Sequence, residues 1–191
     1  MFIQTEATPN PSTLKFIPGL VVLENGSLDF RSPEESRVSP LAERLFAVEG
    51  VAGVFLSQDF IAITKSDDKE WFLLKPALLG VIMEHFTAGR PVLNESDAAS
   101  QAASGNEGEG EADDEVVAQI KALLDTRVRP AVAMDGGDIV YHSFEEGVVY
   151  LSMRGACAGC PSSTATLKMG IENMLRHYIP EVQAVEPVEL Y

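Results

Sequence analysis

The chain has 191 residues, 46% of them apolar, and a net charge of −15 from 14 basic and 29 acidic side chains. That is enough for one large or two small globular domains. So acidic a chain is a poor partner for nucleic acid, whose phosphates are neutralised by Lys and Arg. No window approaches 18 uninterrupted apolar residues, which argues against a membrane span.

The charge is uneven. Residues 1–93 carry 12 acids and 8 bases, residues 115–191 carry 10 acids and 6 bases, and residues 94–114 carry 7 acids and no base. This last stretch has no branched aliphatic or aromatic residue and contains Gly105, Gly108 and Gly110. Such a segment cannot bury enough surface to offset the entropy of ordering, so it reads as a disordered acidic linker. The reading is two small domains, 1–93 and 115–191, of α+β or α/β class, joined by the linker 94–114.

In the first domain, Phe2–Glu6 and Thr13–Ile17 read as strands on either side of the turn-forming Thr8-Pro-Asn-Pro-Ser12. Ser39 followed by Pro40 starts a helix with an apolar stripe of Leu41, Leu45, Phe46 and Val48, ended by Gly50. Val51–Leu56 and Phe60–Thr64 form a hairpin. A second helix covers Leu74–Thr87, with Pro76 either in its first turn or kinking an earlier start. Trp71 and Phe72–Leu74 read first as core and second as an apolar patch for a partner. His85, late in that helix, reads as a cation favoured by the helix dipole. The domain shows no nucleophile–base set, phosphate loop or metal-ligand cluster, and is expected to be an interaction module.

In the second domain, Val116, Ile120, Leu123, Leu124 and Val128 recur at helical spacing, and Pro130 closes that helix. Asp135-Gly-Gly-Asp138 reads as a capped turn rather than a metal-binding pair. Ile139–Phe144 and Val148–Met153 form a hairpin. A helix follows in which Leu167, Ile171, Met174, Leu175 and Tyr178 share a face, and Val182–Val188 gives a last strand. The order is α-β-β-α-β. Arg154 and Lys168 read as solvated residues.

Between the hairpin and the last helix lie the only two cysteines, Cys157-Ala-Gly-Cys160. Pro161 suits a first helical turn, which places Cys160 at a helix N-terminus where thiolate is favoured. Gly155, Ala156, Ala158 and Gly159 leave the loop without bulk, and Ser162, Ser163 and Thr164 read as capping hydroxyls. Four readings compete: a buried structural pair, a dithiol/disulfide oxidoreductase pair, a zinc site, and an iron–sulfur site. A thioredoxin fold is disfavoured, because only 31 residues follow Cys160. Zinc requires further ligands, and His142 and His177 have no matching spacing. An iron–sulfur cluster normally takes four protein ligands, so two thiols imply a site completed by another chain. Close thiols that stay reduced point to a reducing compartment.

Residues 129–139 (Arg129-Pro-Ala-Val-Ala-Met-Asp-Gly-Gly-Asp-Ile139), 155–163 (Gly-Ala-Cys-Ala-Gly-Cys-Pro-Ser-Ser), 166–172 and Ile179-Pro-Glu-Val182 resemble the NifU C-terminal domain. Gln4-Thr-Glu-Ala-Thr-Pro-Asn-Pro11, Leu14-Lys-Phe16 and Ser39-Pro-Leu41 resemble the N-terminal domain of Nfu-type proteins. Met134 departs from the family, where many members have Gln. The resemblance implies a non-enzymatic iron–sulfur scaffold or carrier. It would hold a [4Fe–4S] cluster between two protomers through Cys157 and Cys160 of each, receive it from upstream assembly proteins and pass it to apo-protein clients. The leaderless N-terminus, in this two-domain arrangement, resembles the bacterial cytoplasmic form, with a mature mitochondrial matrix protein as the alternative. The alternative function is a dithiol/disulfide oxidoreductase using the same pair.

Overall fold

The computed structural model describes residues 1–94, 114–158 and 161–188, with the backbone alone at 114 and 161–163. The chain divides into two compact units, Met1–Gly105 and Asn106–Tyr191. The expected disordered linker falls, but for its ends, outside the described residues. Among the described residues no helix is long and apolar enough to cross a membrane.

The first unit is a five-stranded antiparallel sheet in the order β1-β2-β5-β4-β3. Its strands are β1 Gln4–Ala7, β2 Thr13–Ile17, β3 Leu28–Phe30, β4 Val51–Leu56 and β5 Ile61–Lys65, with helices α1 Pro40–Phe46 and α2 Trp71–Thr87. The β1–β2 turn is held by side chains: the Asn10 carboxamide oxygen accepts the Ser12 N–H at 3.0 Å, and the Thr8 hydroxyl donates to the Thr13 carbonyl at 2.9 Å. α1 begins as its sequence dictates. Ser39 Oγ accepts the Ala42 N–H at 3.1 Å, and Pro40 occupies the first helical turn. Phe16, Val54, Leu56, Ile61 and Ile63 from the sheet pack with Leu41 and Leu45 of α1 and Leu78 and Ile82 of α2. Each of these side chains is fully buried, a gain of about 1.5–3 kcal/mol apiece before entropy is counted.

Four expectations change in this unit. β3 leaves no mark in the sequence, because three residues are too few to display alternation. α2 begins three residues early, at Trp71, whose indole N–H donates to the Pro11 carbonyl at 3.0 Å and pins the first turn. Pro76 sits inside the helix, withholding an N–H from the Phe72 carbonyl, which lies at the exposed start of the helix. Of the expected core cluster only Leu74 is buried; Trp71 is half-buried, and Phe72 and Leu73 face outward.

His85 is the fourth correction. It is fully buried, with Nε2 3.1 Å from the Pro91 carbonyl oxygen. Burial pushes its pKa below the ordinary histidine value, opposed by the Pro91 hydrogen bond and reinforced by Arg44 and Arg90. Desolvation thus outweighs the helix dipole, and the imidazole is held neutral. Because the unfolded state, titrating near pH ~6.5, takes up the proton more readily, first-unit stability is complete above about that pH and falls as the pH drops below it. The one tryptophan, Trp71, reports on this unit. Urea unfolding followed by its fluorescence is expected to give a smaller decline from about pH 7.5 to about pH 5.5 in His85→Leu than in the wild type. Equal declines would remove His85 as the cause.

The second unit runs α3 Asp114–Leu123, a π-helical turn Leu124–Val128, α4 Arg129–Met134, β6 Gly137–Glu145, β7 Val148–Gly155, α5 Pro161–Tyr178 and β8 Ala184–Pro187. The α-β-β-α-β order is as expected. β6 and β7 form an antiparallel hairpin, while β8 pairs parallel to β7, so α5 is the crossover of a β-α-β unit. Ile120, Leu124, Val128 and Val132 from the helical arm meet Ile139, Val149, Leu151, Ile171, Leu175 and Val185 in one core.

Pro130 does not close the first helix. It opens α4, and the wide turn ahead of it, in which the Arg129 N–H reaches the Leu124 carbonyl, accommodates a ring that regular α geometry would press against the Thr126 carbonyl. Tyr178, expected on the buried stripe of α5, is exposed at the helix end, where Arg127 stacks 5.2 Å from its ring centroid.

Candidate metal centre

The cysteine loop joins β7 to α5. β7 ends at Gly155 and the turn before β6 contains Gly136, both with positive φ (+66° and +80°), a region that favours glycine. The two glycine-bearing segments meet. Ala156 N–H donates to the Gly136 carbonyl at 3.1 Å, and Gly137 pairs with Gly155 across the hairpin. The Ala158 N–H donates to the Gly155 carbonyl at 3.1 Å, tightening the loop. The Thr164 hydroxyl, expected as a helix cap, instead donates to the Cys157 carbonyl at 3.1 Å and ties α5 back to the loop.

This scaffold seats Cys157 with only 6% of its surface exposed, packed into the core of the second unit. Its sulfur lies against Gly137. A Cβ placed on Gly137 would fall 2.6 Å from Cys157 Sγ and 2.8 Å from the Arg154 carbonyl oxygen. The sequence marks Asp-Gly-Gly-Asp as a turn; it does not reveal that the second glycine is a seat for the thiol. Gly159 and Cys160 lie outside the described residues, as do the side chains of Ser162 and Ser163.

Asp138, next to Gly137, is buried and takes a bidentate contact from Arg129: Nε to Oδ1 at 2.9 Å and Nη2 to Oδ2 at 2.9 Å. Its Oδ1 also accepts the Ile139 N–H at 2.8 Å, and Arg129 Nη1 reaches Asp125 at 3.1 Å. The bond to Asp138, more than any other contact, holds Arg129 still more firmly protonated than an ordinary arginine. Asp138 is thus committed to the arginine, and Asp135 is exposed. The sequence shows both ends of this clamp but gives no sign that they meet.

Lys168, read as solvated, bonds Glu186 at 2.8 Å and links α5 to β8. Arg154 is half-buried, His142 and His177 are exposed, and Met134 is exposed beside the Gly136 turn. Among the described residues no three His, Cys, Asp or Glu side chains converge on a point. Chemically, the loop offers a buried thiol seated against the Gly137 backbone. Those surroundings fit a soft thiolate ligand for iron.

The family model described as scaffold protein Nfu/NifU N-terminal matches residues 3–89, and the NifU-like domain model matches residues 120–186. A human protein named NFU1 iron–sulfur cluster scaffold homolog, mitochondrial, is 52% identical over 189 residues, covering 98% of this chain and 72% of that protein. The chain belongs to the Nfu/NifU scaffold family. NifU-like protein 4, mitochondrial, of Arabidopsis thaliana is 51% identical over 188 residues, covering 97% of this chain and 65% of the relative. Among solved structures, the solution structure of a NifU-like protein from Saccharomyces cerevisiae aligns with a TM-score of 0.45 at 25% identity, over 50% of this chain and 86% of that one.

The names of these relatives correct the expected location. They are mitochondrial proteins, which overturns the bacterial cytoplasm as the leading reading. A leader is a removable address, so the first residues of a chain do not decide its compartment.

Proposed function

We propose that this chain carries iron–sulfur clusters in the mitochondrion. Cys157 and Cys160 from each of two copies hold one [4Fe–4S] cluster, which upstream assembly proteins supply and apo-protein clients receive. Residues 115–191 form the carrying domain, residues 1–93 the interaction domain, and 94–114 the tether. Transfer is ligand exchange: each client thiolate replaces one carrier thiolate, and the cluster moves without a change in oxidation state. The chain is a carrier, not a catalyst.

The observation that carries this reading is the seat of Cys157. A thiol at the β7–α5 junction, walled by Gly137 and backbone, within a matched NifU-like domain, is suited to a labile soft ligand. Its burial adds a requirement. A sulfur shared with a second chain has to leave its place on Gly137, so loading shifts the loop and release lets it fall back.

Anaerobic reconstitution with iron and sulfide tests the proposal. About two irons per chain are expected, four being shared by two chains, in a species of twice the chain mass. Cys157→Ser and Cys160→Ser are each expected to reduce bound iron to background while the apo protein melts within a few degrees of wild type. A colourless monomer that reduces disulfides would overturn the carrier reading in favour of a redox pair. Unfolding by either substitution would favour a structural pair.

A further inference from the structure

α2 has an outer face without a partner among the described residues. Its inner face packs Leu74, Leu78 and Ile82 into the core, yet the opposite face is also apolar. Phe72 is 86% exposed, Leu73 68% exposed, and Met83 is exposed three turns on. Across residues 71–83 the only charged side chain is Lys75, in a chain whose net charge is −15. A helix that is apolar all round is ordinarily covered on every side, and adjacent large apolar side chains in water mark an interaction surface.

The relief of this face is self-complementary. Phe72 and Leu73 project from the first turn. Gly80, seven residues beyond Leu73 and on the same stripe, is exposed and has no side chain, and an added Cβ there would meet no atom within 4 Å. We propose that α2 pairs with α2 of a second copy of this chain, antiparallel about a twofold axis near Pro76 and Ala77. Each copy then seats Leu73 over the other's Gly80, the same contact made twice.

Charge sets the direction. α2 is preceded by Asp67-Asp-Lys-Glu70, net acidic even with Lys69 paired to Asp68 at 4.0 Å and to Glu49 at 2.7 Å, while at its far end Arg44 and Arg90 flank Glu84 at 2.8 and 4.0 Å. Antiparallel pairing brings the acids of each copy toward the arginines of the other, and parallel pairing sets like against like. Phe72, Leu73 and Met83 offer on the order of 400 Å² per copy, so the pair with its flanks buries on the order of 1,000 Å², the lower end for a specific, weak dimer. The acidic stretch 94–114 has no branched aliphatic or aromatic residue with which to cover this face instead.

The test uses the full-length chain carrying Cys157→Ser and Cys160→Ser, so that no shared cluster can join two copies. Sedimentation across micromolar to near-millimolar concentrations is expected to show a reversible monomer–dimer equilibrium. Adding Leu73→Glu, which changes an exposed side chain, is expected to raise the dimerisation midpoint at least about tenfold with the melting temperature unchanged. Gly80→Leu, which puts a side chain where Leu73 of the other copy would sit, is expected to act in the same direction. A monomer at every concentration, or a dimer indifferent to Leu73→Glu, would overturn the proposal. Either result leaves the cysteine reading untouched, because the thiols are absent from the experiment.

Discussion

Gly137→Ala is expected to unseat Cys157 and lower the stability of the second unit by about 2–3 kcal/mol, the scale of an overpacked core site. The added methyl would lie 2.6 Å from the sulfur, 2.8 Å from the Arg154 carbonyl oxygen and 3.1 Å from Cys157 Cβ. Separations below 3 Å cannot persist, so the loop or the β6–β7 hairpin has to move. Backbone strain is not the issue here, since Gly137, unlike Gly136 and Gly155, does not have a positive φ. Gly170 on α5 is the control: a Cβ there meets nothing, and alanine favours a helix by about 0.5–1 kcal/mol. Calorimetric melting should therefore move in opposite directions for the two glycine-to-alanine changes, and only Gly137→Ala should lose iron on reconstitution. Wild-type melting and iron retention in Gly137→Ala would show that the thiol does not rest on this residue.

The second large effect is expected at Arg129. Arg129→Met leaves Asp138 buried without its bidentate partner, and breaking a buried pair from one side usually costs about 3–5 kcal/mol. The arginine side chain is about one-third exposed and Asp138 keeps the Ile139 N–H, so water and that bond offset part of the loss, leaving about 2–3 kcal/mol. The double variant Arg129→Met, Asp138→Leu removes both charges and should recover most of the deficit. Denaturant unfolding of the two single variants and the double variant measures the coupling directly. A double variant as unstable as the sum of the singles would mean that the two residues act independently.

Much of the fold was legible because the relevant physics is local. Ser39-Pro40 announces a helix start, and the bounds of β2 and β4 follow from apolar runs between turn residues. The α-β-β-α-β order of the second unit was legible for the same reason. What escaped notice depends on contacts distant in sequence. β3 exists because β4 gives it a partner, and α2 starts early because Trp71 finds the Pro11 carbonyl. His85 reads from its sequence position as a cation favoured by a helix end, and only the packing around it makes it a buried, neutral group. At the site, the cysteines were obvious, but Gly137 and the Arg129–Asp138 clamp carry no signal in isolation. A glycine required by a neighbouring sulfur looks the same as a glycine required by a turn.

The π-helical turn at Leu124–Val128 lets the helical arm of the second unit hold one residue more than a regular helix of the same phase. A regular α-helix advances 100° per residue, and the wide turn stretches that rotation over an extra residue just before Arg129. Removing one residue from 124–128 would restore the ordinary pitch with the two ends of the arm still nearly in phase, but the Pro130 ring would then press on the carbonyl four residues before it. Removing a residue from 121–123, where the pitch is regular, would instead turn Ile120 about 100° out of the core. In this arm, where a residue is lost matters as much as which residue it is.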